Sequence, residues 1–442
     1  MNRILKRFVG SRSFYKSVLT LLVPIIIQQF ISSFVSLLDN VMVGSLGTEA
    51  ISAASIANQV MMVYNLAIFG GLSGVSIFGA QYYGKGDMDG MRNTFRIKIS
   101  FAVGSSVLAI AVYLLAGESF IASFLMGESN GGDMGLALRE SGETVAPMKA
   151  GIIAILTNLV LNWVLIFGNL GFPAMGVAGA AIATIISRYA ELAIVVLHTH
   201  HHEDKYPFIS GAYRNFRVPG QLVGRVARTA MPLLVNEILW SLGMTFINQF
   251  YSSRGLNAVA ALNITGTAWN LFCVIMFAMG SAVSIMVGQR LGAGQMAEAR
   301  DVDRKLIFLT EVIHVIIGLV MILASPLVPM LYNVGDDVRS LTQQLLVIAG
   351  LALPIHSFAH VTYFTIRSGG RTVITFFFDA VYTWAVTVLL AFCLTRFTDL
   401  DIIRIYFCVQ FIDILKLVIG LIMLRSDFWA RNVVNDLPAE AE

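Results

Sequence analysis

Eleven stretches of this chain are each long and apolar enough to cross a lipid bilayer, and nothing else in the sequence constrains its fold so tightly. A spanning helix needs about 20 largely apolar residues. Such runs lie at 17–38, 50–80, 99–116, 148–168, 175–197, 229–251, 257–288, 306–332, 341–366, 373–395 and 402–424. Strands of a membrane barrel would be about ten residues long with alternating polarity, whereas these runs are continuous. They predict an all-α polytopic membrane protein of about 11 transmembrane helices. The charge content agrees: 13% of the 442 residues are charged and 57% are hydrophobic, against about 25% charged in soluble domains. The runs at 50–80 and 257–288 exceed one crossing, so they are expected to tilt or to project into the cytosol. The first run is long and no small-residue cleavage site follows it, which argues against a cleaved signal peptide. Cys273, Cys393 and Cys408 all fall inside apolar runs and suggest neither a disulfide framework nor a thiolate metal site.

The cations set an orientation. With the N-terminus in the cytoplasm, the basic segments at 3–16, 85–98, 205–228, 290–305, 367–371 and 425–431 all fall inside, and the opposite loops hold only Arg254, Arg339 and Arg396. This is the positive-inside pattern, and it places the chain in a cytoplasmic (inner) membrane with a cytoplasmic N-terminus.

The two halves of the chain repeat. VGSLGTEAISAASIANQV followed by GLSGVSIFGAQYYGKGDMDGMR in the first is matched by YSSRGLNAVAALNITGTA followed by AMGSAVSIMVGQRLGAGQMAEAR in the second. A helical block repeated in one orientation predicts two pseudo-symmetric lobes related by an axis along the membrane normal. The expected division is a lobe at 1–197, a cytoplasmic loop at 198–228 and a lobe at 229–442. The repeat unit is six helices, yet one crossing is missing from the first lobe. Gly127 to Arg139 is too short to span, where the second half fits a full helix between Asn333 and Arg367. The gap centres near 130–135.

Several of these segments resemble motifs of the multidrug and toxic compound extrusion family. They are SLLDNVMVGSLG around Asp39, TNLVLNWVLIFGNLGFPAMGVAGAAIAT at 157–184, PLLVNEILWSLG at 232–243, VGQRLGAG at 287–294 and FFFDAVYTW at 376–384. The resemblance runs from about residue 15 to 430. It implies two six-helix lobes around a central cavity, and export of drugs or toxic compounds by alternating access, driven by Na⁺ or H⁺ entry. This sequence departs from the family by lacking the fourth helix.

Ionisable groups at membrane depth are costly, so each is a functional candidate. Asp39, near the outer end of the first helix, either binds Na⁺ or a proton or is a hydrogen-bonded helix-end residue. Glu237 lies mid-helix with no cation within one turn. A proton-coupled site needs a carboxylate that takes up and gives back a proton, and isolation in low dielectric supplies one. Asp379 either joins such a site or caps and bridges helices. Arg188 with Glu191, and Asp413 with Lys416, are three apart and are expected to pair locally. Asn158 and Asn162 share a helical face and either bond a neighbouring helix or line a cavity. Gln59, Asn236, Asn263 and Asn270 are weaker candidates for cavity lining. His356 and His360, also four apart, either relay protons or hydrogen-bond within the bundle. Pro24 and Pro354 each remove a helix hydrogen bond and are candidate kinks.

Other chemistry finds little support. HTHHHED at 198–204 reads as a solvated, unstructured stretch rather than a metal site. GAQYYGKGD and GQRLGAGQ have neither the Walker spacing nor a preceding strand, so no nucleotide is expected to drive the cycle. No constellation of nucleophile, base or metal ligands suggests an enzyme. No cofactor is expected beyond the coupling ion; small organic molecules and the bilayer are the expected partners, nucleic acid is not, and a monomer is expected. The alternative function is a flippase for lipid-linked or polar lipids, but it would want several inward-facing cations, and here Arg188 and Lys416 have acids nearby.

Overall fold

The computed structural model describes residues 5–44, 48–116 and 129–435. Among these the regular structure is helical: α1 (Arg12–Gly44), α2 (Thr48–Lys85), α3 (Met88–Ala116), α4 (Ser129–Glu140), α5 (Val145–Phe167), α6 (Val177–His201), α7 (Gly220–Ser252), α8 (Leu256–Phe272), α9 (Val274–Gly292), α10 (Met296–Ala324), α11 (Asp336–Ser368), α12 (Thr372–Phe397) and α13 (Ile402–Arg425). Among the described residues nine helices are long and apolar enough to cross a membrane. With no water to serve the backbone in a bilayer core, the apolar runs close their hydrogen bonds along themselves. They stop where the sequence permits. Gly168 ends α5 in the left-handed region with φ 73°, a conformation glycine adopts freely. Asp401 starts α13 by accepting the Arg404 N–H at 2.8 Å, the usual way an N-cap satisfies an orphan amide.

Two sequence expectations change here. The run at 257–288 is not one long tilted helix: it divides at Cys273 into α8 and α9, whereas the run at 50–80 stays inside the single 38-residue α2. The gap near 130–135 is occupied by α4, a helix of 12 residues. At 1.5 Å per residue that is about 18 Å, short of the roughly 30 Å apolar thickness. Pro24, Pro232 and Pro354 all lie inside continuous helices.

The chain forms two compact units. One comprises Met1–Val18 with Val235–Val433, the other Leu19–Leu234 with Val434–Glu442. The boundary thus falls within α7 rather than in the loop at 198–228. The reason is local. The segment after α6 folds back on α3, where Arg92 donates to the carbonyls of Pro207 and Phe208, both at 3.3 Å, and Arg96 donates to those of Gly211 at 2.9 Å and Ala212 at 3.0 Å. The N-terminal residues join the other unit through Phe8, whose ring lies 5.7 Å from that of Phe308.

Within the first-half unit α4 packs against α2, α3 and α6. Its anchor is a buried ion pair from Lys98 of α3 to Glu140. Gly79 of α2 makes room for it, since a Cβ there would meet the Glu140 carboxylate at 2.0 Å. In the second-half unit α11 is the central helix, packed on α8, α9, α10 and α13. Gly318 of α10 and Gly350 of α11 meet backbone to backbone, so that a Cβ on Gly318 would lie 2.4 Å from the Gly350 carbonyl oxygen. Small residues of this kind let membrane helices approach closely.

Candidate functional site

Four helices of the second-half unit bring their polar side chains together. Asn236 and Glu237 come from α7, Tyr363 and Arg367 from α11, Asp379 from α12, and Asp413 and Lys416 from α13. The helices that carry the acids are irregular. α12 widens into π-helix over Phe377–Val381 and again over Thr383–Val388, and α13 is interrupted at residues 412–413. Such π segments release backbone groups from the usual ladder and cluster at functional sites. Here the Ala380 N–H is donated to Asn236 Oδ1 at 3.1 Å. The Tyr382 hydroxyl donates to the Ile412 carbonyl at 2.8 Å, beside the interruption in α13.

Asp379 is the hub. Lys416 Nζ donates to its Oδ1 at 2.6 Å and Asn236 Nδ2 to its Oδ2 at 3.0 Å. Glu237, 8% exposed, accepts the Tyr363 hydroxyl at 2.9 Å, and Asn236 Nδ2 also approaches that hydroxyl at 3.5 Å. Arg367 is buried with its guanidinium 4.5 Å from the centroid of the Phe364 ring, a cation–π arrangement. Two carboxylates therefore share one polar network inside an apolar lobe. Such a network is rigid when satisfied and costly when broken.

Glu237 and Asp379 were expected from the sequence and are joined by this network, with Asp379 bridging three helices. Asn236, a weaker candidate, turns out to be the link between them. The expected local pair of Asp413 with Lys416 is corrected. Lys416 reaches across to Asp379, while Asp413 faces α11 and meets His356 Nδ1 at 3.3 Å, so each takes a partner on another helix although the two share a turn. His356 is thus held by a carboxylate, with the Trp269 ring edge-on at 5.5 Å. His360 lies between the rings of Phe277 and Phe364, at 5.5 and 4.8 Å, and its Nε2 finds no hydrogen-bond partner. The side chains of Asp39 and Gln59 lie outside the described residues. Asn263 and Asn270 are exposed on α8.

In the other unit Asn162 donates to Asn158 at 3.1 Å and Asn158 to Thr184 of α6 at 3.3 Å. The pair therefore bonds a neighbouring helix. Arg188 and Glu191 pair as expected, at 3.0 Å. The histidine stretch is not unstructured: His198–His201 complete the last turn of α6, and His200 stacks on Tyr213 with centroids 5.6 Å apart. Beyond α6, Lys205 and Tyr206 both donate to Glu143, at 2.5 and 3.0 Å. Burial opposes the charge on Glu143, yet these two donors and the Ala146 N–H outweigh it and hold the carboxyl below its ordinary range. Among the described residues no three His, Cys, Asp or Glu side chains come together as a metal site.

Sequence reading passed over Tyr363, the Lys98–Glu140 pair, and the buried Asp303 and His314 and half-buried Glu311 of α10. The last three carried a signal, since each is ionisable and lies within or beside an apolar run. Tyr363 carried none, because a tyrosine among apolar neighbours reads as packing.

The family profile described as MatE matches residues 24–130 and 232–393. The probable multidrug resistance protein YoeA of Bacillus subtilis is 25% identical over 415 residues, covering 89% of this chain and 90% of that one. The probable multidrug resistance protein NorM of Thermotoga maritima is 21% identical, covering 95% and 94%. A solved MOP superfamily transporter from Pyrococcus furiosus has the same fold, with a TM-score of 0.83 at 19% identity over 96% of this chain and 98% of that one.

Proposed function

The chain belongs to the MatE family, a family of membrane transporters rather than enzymes, and from that premise we propose that it is a cation-coupled antiporter exporting organic, often cationic, compounds by alternating access. The relatives named as multidrug resistance proteins support the substrate class. The positive-inside pattern supports an inner-membrane protein with its N-terminus in the cytoplasm.

One observation carries the mechanism: the Glu237–Asn236–Asp379–Lys416 network with Tyr363 as a further donor. Coupling requires a group whose affinity for the ion differs between the inward and outward states. Glu237 fits, because its donor Tyr363 sits on another helix, α11, whose shift would remove that donor. The donor set favours the proton over Na⁺. A hard cation needs several oxygen lone pairs turned toward it, and here Tyr363, Asn236 and Lys416 each turn a hydrogen toward a carboxylate instead. A proton arriving at Glu237 changes the acceptor that Tyr363 of α11 donates to, so the network is satisfied in a different arrangement of α7 and α11, and substrate leaves on the outer side. Asp39 is a second coupling acid in this reading, in the first lobe.

The test is ethidium efflux from proteoliposomes under an imposed pH gradient or an imposed Na⁺ gradient. Efflux driven by the pH gradient alone is expected. Efflux driven by Na⁺ at uniform pH would overturn the proton reading, and no efflux of any cationic dye under either gradient would overturn the exporter reading.

A further inference from the structure

The carboxylate network uses one face of α11; another face carries a separate set of polar contacts with α10. Thr365 donates to Asp303 at 2.5 Å, Ser357 donates to Glu311 at 3.0 Å, and Gly350 meets Gly318. The three rungs follow one antiparallel register, with steps of eight and seven residues on both helices. Pro354 lies in the turn before Ser357 and has no N–H, so the Gly350 carbonyl loses its helix partner and is turned toward Gly318. Glu311 therefore grips α11 at its proline turn.

The hydroxyl count at this rung is informative. Ser357 Oγ lies within bonding distance of two acceptors, Glu311 Oε1 at 3.0 Å and the Pro354 carbonyl at 2.9 Å. A serine has one hydrogen to give, and an ionised carboxylate can only accept. With Glu311 ionised, Ser357 gives its one hydrogen to the carboxylate and leaves the Pro354 carbonyl to its helix N–H partner alone. With Glu311 protonated, the carboxylic O–H donates to Ser357 Oγ, Ser357 donates to the Pro354 carbonyl, and every group is satisfied. No cation balances the ionised form, as Glu311 takes part in no ion pair among the described residues. The charged and titratable groups around it do not change this. On α10, Asp303 bonds Thr365, Lys305 bonds Asp301, and Arg304 lies more than a turn away. His314, one turn on, donates Nδ1–H to the Thr310 carbonyl at 2.7 Å and leaves Nε2 as a lone pair without a partner. From α11, His356 is held by Asp413 and His360 sits between aromatic rings. The one charged residue of α9, Arg290, pairs with Glu298 at its end. The short segment Leu5–Phe8, whose Phe8 ring meets Phe308, carries Arg7 exposed.

We infer that Glu311 is a further proton-binding site, which takes up a proton to complete the Glu311–Ser357–Pro354 chain and gives it back when α11 moves. The inference rests on the proton-coupled reading above. It adds a ligand at a place that network does not reach, and it makes α11 the shared element, since the same helix carries Tyr363. One more coupling proton per cycle then serves each substrate.

The experiment is the steady-state dye gradient that proteoliposomes sustain per unit of imposed pH difference, with membrane potential clamped to zero. Glu311→Gln presents a permanent N–H donor to Ser357 and cannot titrate. One proton fewer per cycle should lower the sustained gradient about tenfold for each pH unit, while gradient-free dye exchange stays at the wild-type rate and shows a folded carrier. Glu311→Asp should restore the pH response. A wild-type protein driven by pH alongside a Glu311→Gln variant that sustains the same gradient would overturn this inference and leave the first network standing. A wild-type protein indifferent to pH would overturn both.

Discussion

The two halves of the sequence repeat, yet their polar groups are wired differently. Among the described residues of the first-half unit two buried acids have a cation each: Glu140 pairs with Lys98 and Glu191 with Arg188, while the asparagines bond each other and Thr184. In the second-half unit the groups are shared. Asp379 divides itself between Lys416 and Asn236, and Glu237 meets a neutral hydroxyl. A closed pair holds helices in one arrangement. A shared network of mostly neutral donors can change its protonation without leaving a cation stranded. The difference teaches that a repeated scaffold does not repeat its chemistry: Glu140 and Glu191 fit fixed structure, and Glu237 fits the ion exchange proposed above.

The largest expected effect tests the closed side. Lys98→Met strands the Glu140 carboxylate among apolar neighbours, where breaking a buried pair costs about 3–5 kcal/mol. Thermal unfolding in detergent should show it, and adding Glu140→Gln should recover most of the loss. A Lys98→Met protein as stable as wild type would break the comparison.

Next comes the open side. Glu237→Gln should change stability little yet lower gradient-driven efflux by about 10–100-fold, the range of a 1–3 kcal/mol coupling. Tyr363→Phe removes the hydroxyl that Glu237 accepts and should cost about 1–2 kcal/mol, read as a lower melting temperature with transport retained in part. The smallest effect lies at the loop after α6. Glu143 is held below its ordinary range in the folded protein. Its contribution is therefore present above the unfolded value near pH 4 and is lost as pH falls through the folded one. Lys205 is mostly exposed, so the pair is screened and Glu143→Gln should remove no more than ~1 kcal/mol at pH 7. Acid titration of stability should be flatter in that variant.

The sequence already exposed what depends on composition and local spacing: the membrane class, most helix positions, and Glu237 as an isolated acid in an apolar run. Arg188 with Glu191 was legible for the same reason, because both lie on one helical turn. What stayed hidden depends on contacts far apart in the chain. Nothing near Lys416 says that it will leave Asp413 for Asp379, 37 residues earlier, since that choice follows from where α12 and α11 place Asp379 and His356. The division of the 257–288 run at Cys273 was hidden too, because no proline or glycine marks it. Glu311 was visible as a charge in an apolar run, but its partner Ser357 lies 46 residues on, and only the packing of α10 on α11 joins them.

The central claim is that Glu237 couples transport to the ion gradient without being needed to carry substrate. The measurement is dye transport by Glu237→Gln in proteoliposomes, with and without a pH gradient. Exchange at the wild-type rate with no gradient, together with loss of acceleration when the gradient is imposed, is the predicted result. Acceleration equal to that of wild type would contradict the account.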